Sequence, residues 1–469
     1  MISAKLIASL IFWGGATAAG RVLDIREYGA IPFSKEANVS NAGALNASFL
    51  DAQDGDTILV PANQTFFVIG GIRGDNLTNV TFLVEGTLTA CFDLDNWPRG
   101  TTSVVGGNHY VYLDLIALSN ATDLIVTSFT RDIAIDGGGE AWWNACLLGK
   151  IGYGDRPVLL SVAYSTRVVV SGMDLVNSPR FHLFMFQNED IEIFGVSVRV
   201  DRRLSEVKIE AQKRRGKLHG KSSMMTLQPE DVNTDGIDVS GIGAWIHDCN
   251  IQNDDDSIAI KPAKGTNIVG SQNHTSFCTQ DILVERVNMT GFGASVGSVS
   301  PKLNLYEACV RNVTFRNILM PNSGKGIYIK SNPGCDKGKQ GLIEQILYEN
   351  VTITNPRWWP IWIGPQQQHE PGTELGDHCS LAYPEVDHCP QEDCVTFRNI
   401  TLRNIAIVGS FMSPGVIIGN ASNPIRGLIF DRVQAAGLVA EPAPFGNAFE
   451  CSGVSEYSSP GSNPALECT

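Results

Sequence analysis

Two stretches of the chain carry residues whose types and spacing could do acid–base chemistry. "VNTDGIDVSG" contains Asn233, Asp235 and Asp238, and some twenty residues later "NDDDSIAIK" contains Asp254, Asp255, Asp256 and Lys261. Carboxylates brought close repel, and the repulsion raises at least one pKa, which sets a proton donor beside a proton acceptor. That pairing is what glycoside hydrolysis uses: one acid protonates the leaving oxygen while another carboxylate activates water. Alone, "NTDG" reads as an Asx-turn and "DDD" as an exposed loop or a Ca²⁺ site. Taken together they favour a site.

From about Val168 onward, short β-branched runs recur with an Asn or Asp near the middle and a turn at the end: "VVVSGMDLVNS", "IEIFGVSVRV", "AWIHDCNIQN", "ILVERVNMTG", "ACVRNVTFRN", "ILYENVTITN", "CVTFRNITLRN" and "LIFDRVQ". They start about 23 to 38 residues apart and alternate apolar with polar positions. A propeller blade needs four strands per repeat, so the pattern predicts an all-β fold, a single-stranded parallel β-helix. Solenoid ends need caps. "NAGALNASFLDAQ" (Asn41–Gln53) has the spacing of one short capping helix, and the cysteine-bearing tail predicts the other cap. In a coil of this length the two acidic motifs stack on adjacent coils, with strands ~4.8 Å apart, so Asp235 meets the Asp255–Asp256 pair. Alternation along a strand would put Asp254 and Asp256 on one side unless the backbone bulges there.

These motifs resemble the polygalacturonase-like glycoside hydrolases, right-handed parallel β-helices that cleave pectin by inversion. The family pattern runs N-T-D, D-D, G-H-G, R-I-K. Here it reads "NTD" (Asn233–Asp235), "DD" (Asp255–Asp256), "GFG" (Gly291–Gly293) and "YIK" (Tyr328–Lys330). "REYGA", "IDGGGEAWW" and "NSPRFHLF" extend the likeness over most of the chain. The resemblance implies Asp255 as general acid, Asp235 and Asp256 as the residues that hold and deprotonate water, and Lys330 as a ligand of a sugar carboxylate, with Asn233, Phe292 and Tyr328 lining the substrate. No cofactor or metal is implied. Phe292 stands where the pattern has histidine and Tyr328 where it has arginine, so the expected reaction is that of a divergent, exo-acting galacturonidase, with a rhamnose-releasing hydrolase as the alternative. Phe292 is expected to keep Asp255 protonated by burial. A cysteine that often follows the aspartate pair is Ser257 here, and no cysteine precedes "GFG", so that disulfide is expected to be missing. A pectin-binding β-helix without catalysis and a Ca²⁺-dependent lyase remain the rival classes.

The rest of the sequence bounds the setting. A formal charge of −14 and a pI near 5.0 exclude a phosphate-binding surface and hence a nucleic-acid partner. Residues 1–20 read as a secretory signal peptide too short to span a membrane, leaving 21–469 as one β-helix domain of a secreted, monomeric protein acting on pectic poly- or oligosaccharide. Twelve N-x-S/T sequons agree with secretion. Eleven cysteines suggest five disulfides and one free thiol, with Cys451 paired to Cys468; zinc on Cys379, Cys389 and Cys394 with His378 and His388 is the alternative. A basic segment (202–223) reads as a loop inserted near the cleft, 366–394 as a cysteine-containing loop, and 440–469 as the C-terminal cap. "RWWPIWIGPQQQ" and "AWW" offer tryptophans either for sugar stacking or for the core.

Overall fold

The computed structural model describes residues 20–101, 110–130, 132–201, 233–263, 278–299, 308–332, 338, 340–366, 389, 391–409, 413–437 and 447–469. The signal segment, the 202–223 insertion, most of the 366–394 loop and the first part of the C-terminal cap lie outside them. The chain winds into a right-handed parallel β-helix.

Three stacks of parallel strands form its walls. The wall that carries the acidic motifs climbs through Ile72–Asp75, Ile116–Ser119, Leu160–Ala163 and the starts of Leu183–Phe194 and Ile237–His247. It continues through Ile258–Ile260, Ala294–Val299, Ile327–Ser331, Ile361–Gln366, Val416–Ile418 and Glu450–Ser452. In later coils one strand, such as Gly341–Thr354, runs round the other two walls without a break. Along it buried and exposed residues alternate, because one face of every wall points into the solenoid. Aliphatic side chains stack there coil upon coil, as in Ile282, Val313, Ile346, Ile400 and Leu428, all but removed from water. Each such side chain contributes roughly 1.5–3 kcal/mol by burial.

The Asn in the middle of each run marks the corner between two walls. Asn317, Asn350 and Asn404 all adopt positive φ, near 56°, a region Asn enters more readily than other side chains. Their carboxamides form a ladder: Asn350 Nδ2 donates to Asn317 Oδ1 at 3.2 Å and Asn404 Nδ2 to Asn350 Oδ1 at 3.0 Å.

The coils begin at Val22, far ahead of the Val168 at which the repeat becomes visible in the sequence. The early strands are three to six residues long, too short for a periodic pattern to stand out. The capping helix α1 spans Asn38–Asp51, starting earlier and ending earlier than its spacing predicts, and buries Leu45 and Phe49 over the first coils. Asn41 holds it there, bonding the backbone at Ile31 and Phe67. A second helix, α2 (Gly139–Leu147), was not foreseen. Its Trp142 is buried edge-on to Phe92, Trp97 and Tyr112, and Trp143 bonds Pro179 O, so both tryptophans of "AWW" are core.

The cysteine expectation needs correction. Cys451 does bond Cys468 at the C-terminal end, and Cys278 bonds Cys309 across adjacent coils. Cys91, Cys146 and Cys249 are free thiols, so at most four bridges exist and not five. Cys389 and Cys394 are both in disulfides, which removes the thiolates a zinc site would need.

Candidate active site

The two acidic motifs stack as adjacent coils. Gly236 N–H donates to Asp256 O at 2.9 Å and Ile237 N–H to Ser257 O at 3.0 Å, and Ile237 lies in register with Ile258. Residues 253–257 form a bend between strands, not strand itself, so alternation does not apply to them. Asp255 and Asp256 therefore both turn toward Asp235, and one carboxylate oxygen from each of the three lies within 4.8 Å of the others. Asp254 stays outside the cluster, its N–H bonded to Thr234 Oγ1.

Asn253 ties the bend. Its fully buried Nδ2 donates to Thr234 O, Asp255 O and Asp256 O at 2.9–3.0 Å, and its Oδ1 accepts from Ser257 Oγ at 2.8 Å. Ser257 Oγ also lies 2.9 Å from Thr290 O, the residue before Gly291. Where the resemblance led one to expect a missing disulfide, a hydroxyl joins the same two turns.

The "GFG" stretch has a backbone role. Gly291, at φ +49°, lies so close to the Asp255 peptide that a Cβ would meet Asp255 O at 2.1 Å, and Phe292 N–H donates to that oxygen at 2.7 Å. The Phe292 ring is buried against an aromatic group of Tyr328, Trp359 and Trp362, with Trp358 partly exposed beside it. Two of the three tryptophans of "RWWPIW" are thus core, and only Trp358 has a face near water. The described contacts of Phe292 with Asp255 run through the backbone; burial is nonetheless the largest cause of the raised Asp255 pKa.

The four buried carboxylates differ sharply in environment. Burial would raise Asp256, but Lys330 Nζ at 2.8 Å, Lys261 at 3.6 Å and Ser295 Oγ at 2.6 Å outweigh it and hold its pKa low. Asp255 is raised by burial and by Asp256, although its oxygens accept N–H groups from Asn233 at 2.7 Å and Asp256 at 2.8 Å. Asp235 is raised well above the usual range by burial, Asp238 and Asp255. Asp238, equally buried, is raised to about 6 by burial and by Asp256, against the pull of Lys261. Lys261 lies 3.5 Å from Asp235 and 3.6 Å from Asp238, and the acids keep it firmly protonated against the pull of burial.

Sequence reasoning placed Asp235, Asp255, Asp256 and Lys330 together, and the structure joins them. Asn233 acts through its backbone, at φ +59°, as a donor to Asp255. Tyr328 is fully buried, with Lys330 Nζ 4.0 Å above its ring, so it forms the floor under that lysine. Asn253, Ser295 and His182 were missed. His182 N–H and Nδ1–H both donate to Asp235 O, at 2.9 and 3.0 Å, while Nε2 accepts from Ser178 N–H at 3.2 Å. Burial holds its pKa down at about 4, which keeps the ring neutral and the tautomer fixed. The signal was visible: the histidine of "NSPRFHLF".

Removal of Asp238 gives a prediction in stability. A carboxyl raised to about 6 binds its proton in the folded chain while the unfolded chain releases it, so stability is complete below the unfolded value and falls as pH rises from about 4 through about 6. Asp238→Asn should therefore be more stable than the parent at pH 7, by up to about 3 kcal/mol, with the difference gone at pH 4. Urea melts at the two pH values check this; a parent whose stability rises over that interval would refute it.

Three aspartates with oxygens this close could hold a cation, but two ammonium groups already stand against them. The arrangement suits proton transfer: one carboxylate is held toward its ionised form while its neighbours are pushed toward the protonated form, all out of bulk water.

Comparison with known proteins agrees. Residues 53–437 match the model of Glycosyl hydrolases family 28. A polygalacturonase of Chamaecyparis obtusa is 28% identical over 345 residues, 72% of this chain and 55% of that protein, so the chain spans about half the length of that relative. A probable polygalacturonase of Vitis vinifera is 23% identical, over 89% of this chain and 78% of its own. Among solved structures, the exopolygalacturonase of Thermotoga maritima superposes with a TM-score of 0.61 at 17% identity, covering 90% of this chain and 89% of its own. The endo-xylogalacturonan hydrolase of Aspergillus tubingensis gives 0.57 at 18%, covering 96% and 98%. No described helix is long and apolar enough to cross a membrane. With most of its coils and all of its clustered aspartates inside the matched region, the chain belongs to glycosyl hydrolase family 28.

Proposed function

We propose that the protein hydrolyses α-glycosidic bonds in pectic galacturonan or its oligomers, acting from chain ends as a secreted monomer. The observation that carries this reading is the contrast between Asp255 and Asp256: neighbours in sequence, one with a raised pKa and the other held ionised by Lys330. Asp255 protonates the leaving oxygen. Asp256 and Asp235 hold the water, and Asp256 takes its proton. The three carboxyls crowd more closely than the roughly 6.5–9.5 Å of a pair that straddles the bond. Inversion still requires water to reach the anomeric carbon from the face opposite the leaving oxygen, so the cluster has to serve both sides of that carbon.

The lost arginine supports end-on action. Tyr328 offers no bidentate clamp for a second uronate, and the buried aromatic group behind it fills space. The same feature favours a second reading, a rhamnose-releasing hydrolase, since a neutral sugar needs no clamp. The test is the product profile on oligogalacturonides and rhamnogalacturonan fragments. Galacturonic acid as the sole early product, in the inverted anomeric form, is expected. A ladder of oligomers overturns end-on action, rhamnose establishes the second reading, and a retained anomer removes the water route. Binding without any new reducing ends would leave a lectin-like role.

A further inference from the structure

Strands Ile135–Asp136, Asp174–Val176, Ser197–Arg199 and Asn250–Gln252 belong to the third wall, and a groove that the chemistry above does not use runs along its end. Asp136, Val176, Arg199, Gln252, Thr290 and Pro321 follow one another coil by coil, so the groove extends roughly 24 Å at ~4.8 Å per coil. It encloses about 870 Å³, within the roughly 300–1,000 Å³ of sites that hold small ligands. The carboxamides of Asn177, Gln252 and Asn322 and the Thr290 hydroxyl stand there beside the apolar Val176 and Pro321. Donors and acceptors set among apolar patches suit a sugar, which has hydroxyls at its rim and C–H groups on its faces. Among the described lining residues the only cation, Arg199, is already turned to Asp174 at 2.9 Å, so the groove suits a neutral glycan better than a uronate.

No aromatic ring is among the described lining residues, so a free oligosaccharide would be held weakly. A tether removes that difficulty. "NMT" (Asn288–Thr290) is an N-x-T sequon, and its threonine lines the groove. Met289 is buried in the solenoid while Asn288 is exposed, two residues and roughly 7 Å from Thr290 on the same outer face. Among the described residues the Asn288 carboxamide makes no hydrogen bond. Asn79, Asn120 and Asn312, also in sequons, donate to Asp54, Asp75 and Asp281, and Asn350 stands in the corner ladder. A glycan on any of those four would break a contact; on Asn288 it breaks none. Asn63 and Asn399 share this freedom but stand in turns elsewhere in the chain.

We propose that Asn288 carries an N-linked glycan and that the groove along the third wall is its seat. A linked sugar meets the groove at an effective concentration in the millimolar range, so contacts too weak to capture free sugar suffice. The seated glycan covers the outer side of the coils that form the aspartate bend, where Thr290 Oγ1 accepts the Asn253 N–H at 3.2 Å. The proposal rests on export of the chain and not on the hydrolase reading.

The test uses the full chain, expressed in a eukaryotic host and collected from the medium. Peptide-N-glycosidase treatment in heavy-oxygen water followed by peptide mass spectrometry is expected to label Asn288. An endoglycosidase acting on the folded protein reads the seat. Gln252→Leu keeps the bulk but removes the carboxamide from the middle of the groove, and should speed release of the Asn288 glycan by about three- to tenfold, the scale of one hydrogen bond. Gln252→Ser serves the same purpose should the leucine variant not fold. A bare Asn288 in an exported chain overturns the proposal and leaves export standing. A chain retained in the cell with every sequon bare overturns both. An occupied Asn288 whose glycan leaves parent and variant at the same rate overturns the groove as its seat.

Discussion

Asp255→Asn is expected to lower kcat on oligogalacturonides by about 10³-fold, the scale of general acid catalysis, with KM little changed. The asparagine can keep one of the two backbone donors that Asp255 now accepts, from Asn233 or from Asp256, so the bend should survive. The loss should shrink by at least about tenfold on a substrate whose leaving group departs without a proton, such as a glycosyl fluoride, because only protonation has been removed. An equal loss on both substrates would show that Asp255 is not the acid. Asp235 is the informative control, since burial and three neighbouring carboxylates raise it well above the usual range. If Asp235→Asn shows the leaving-group rescue and Asp255→Asn does not, the donor is Asp235.

The second large effect is that of Lys330→Met, which strips Asp256 of its 2.8 Å ammonium while leaving the carboxylate buried. Breaking a buried pair from one side costs about 3–5 kcal/mol, and Lys261, at 3.6 Å, is placed to recover part of it. The pH dependence has a definite sign. The folded pKa of Asp256 is depressed, so its pairing stabilises the parent above the unfolded carboxylate range and is lost as pH falls through the folded value. The gap between parent and variant should be widest near pH 7 and close at strongly acid pH, by chemical denaturation at each. A gap independent of pH would mean that Lys330 contributes packing and not charge. Activity should fall by at least about 100-fold, because the base protonates at a pH where the parent's is ionised.

The aspartates were legible in the sequence because a coil of some twenty residues dictates which motif lies over which. What alternation got wrong was the bend at 253–257, where the chain leaves the strand and lets two consecutive aspartates face one way. The roles of Asn253 and His182 were not legible because each bonds backbone atoms of another coil, Thr234 O and Asp235 O, although the histidine itself stood in a recognisable stretch. The early coils escaped notice for lack of length, and so did α2, a helix of only nine residues. Phe292 and Tyr328 read as departures one by one; that both face Lys325 depends on neighbouring coils meeting in space. The free thiols, too, depend on which cysteines the winding brings together.

The stacking of coils also governs how the protein wears out. Each turn of a solenoid rests only on its two neighbours, so loss of structure starts at an end and travels inward. The aspartate bend sits in the middle of the stack, many coils from α1 on one side and from the Cys451–Cys468 bond on the other. A frayed end therefore leaves the reacting groups in register. The terminal cap and cystine set how long the enzyme lasts, and the central coils set how fast it works.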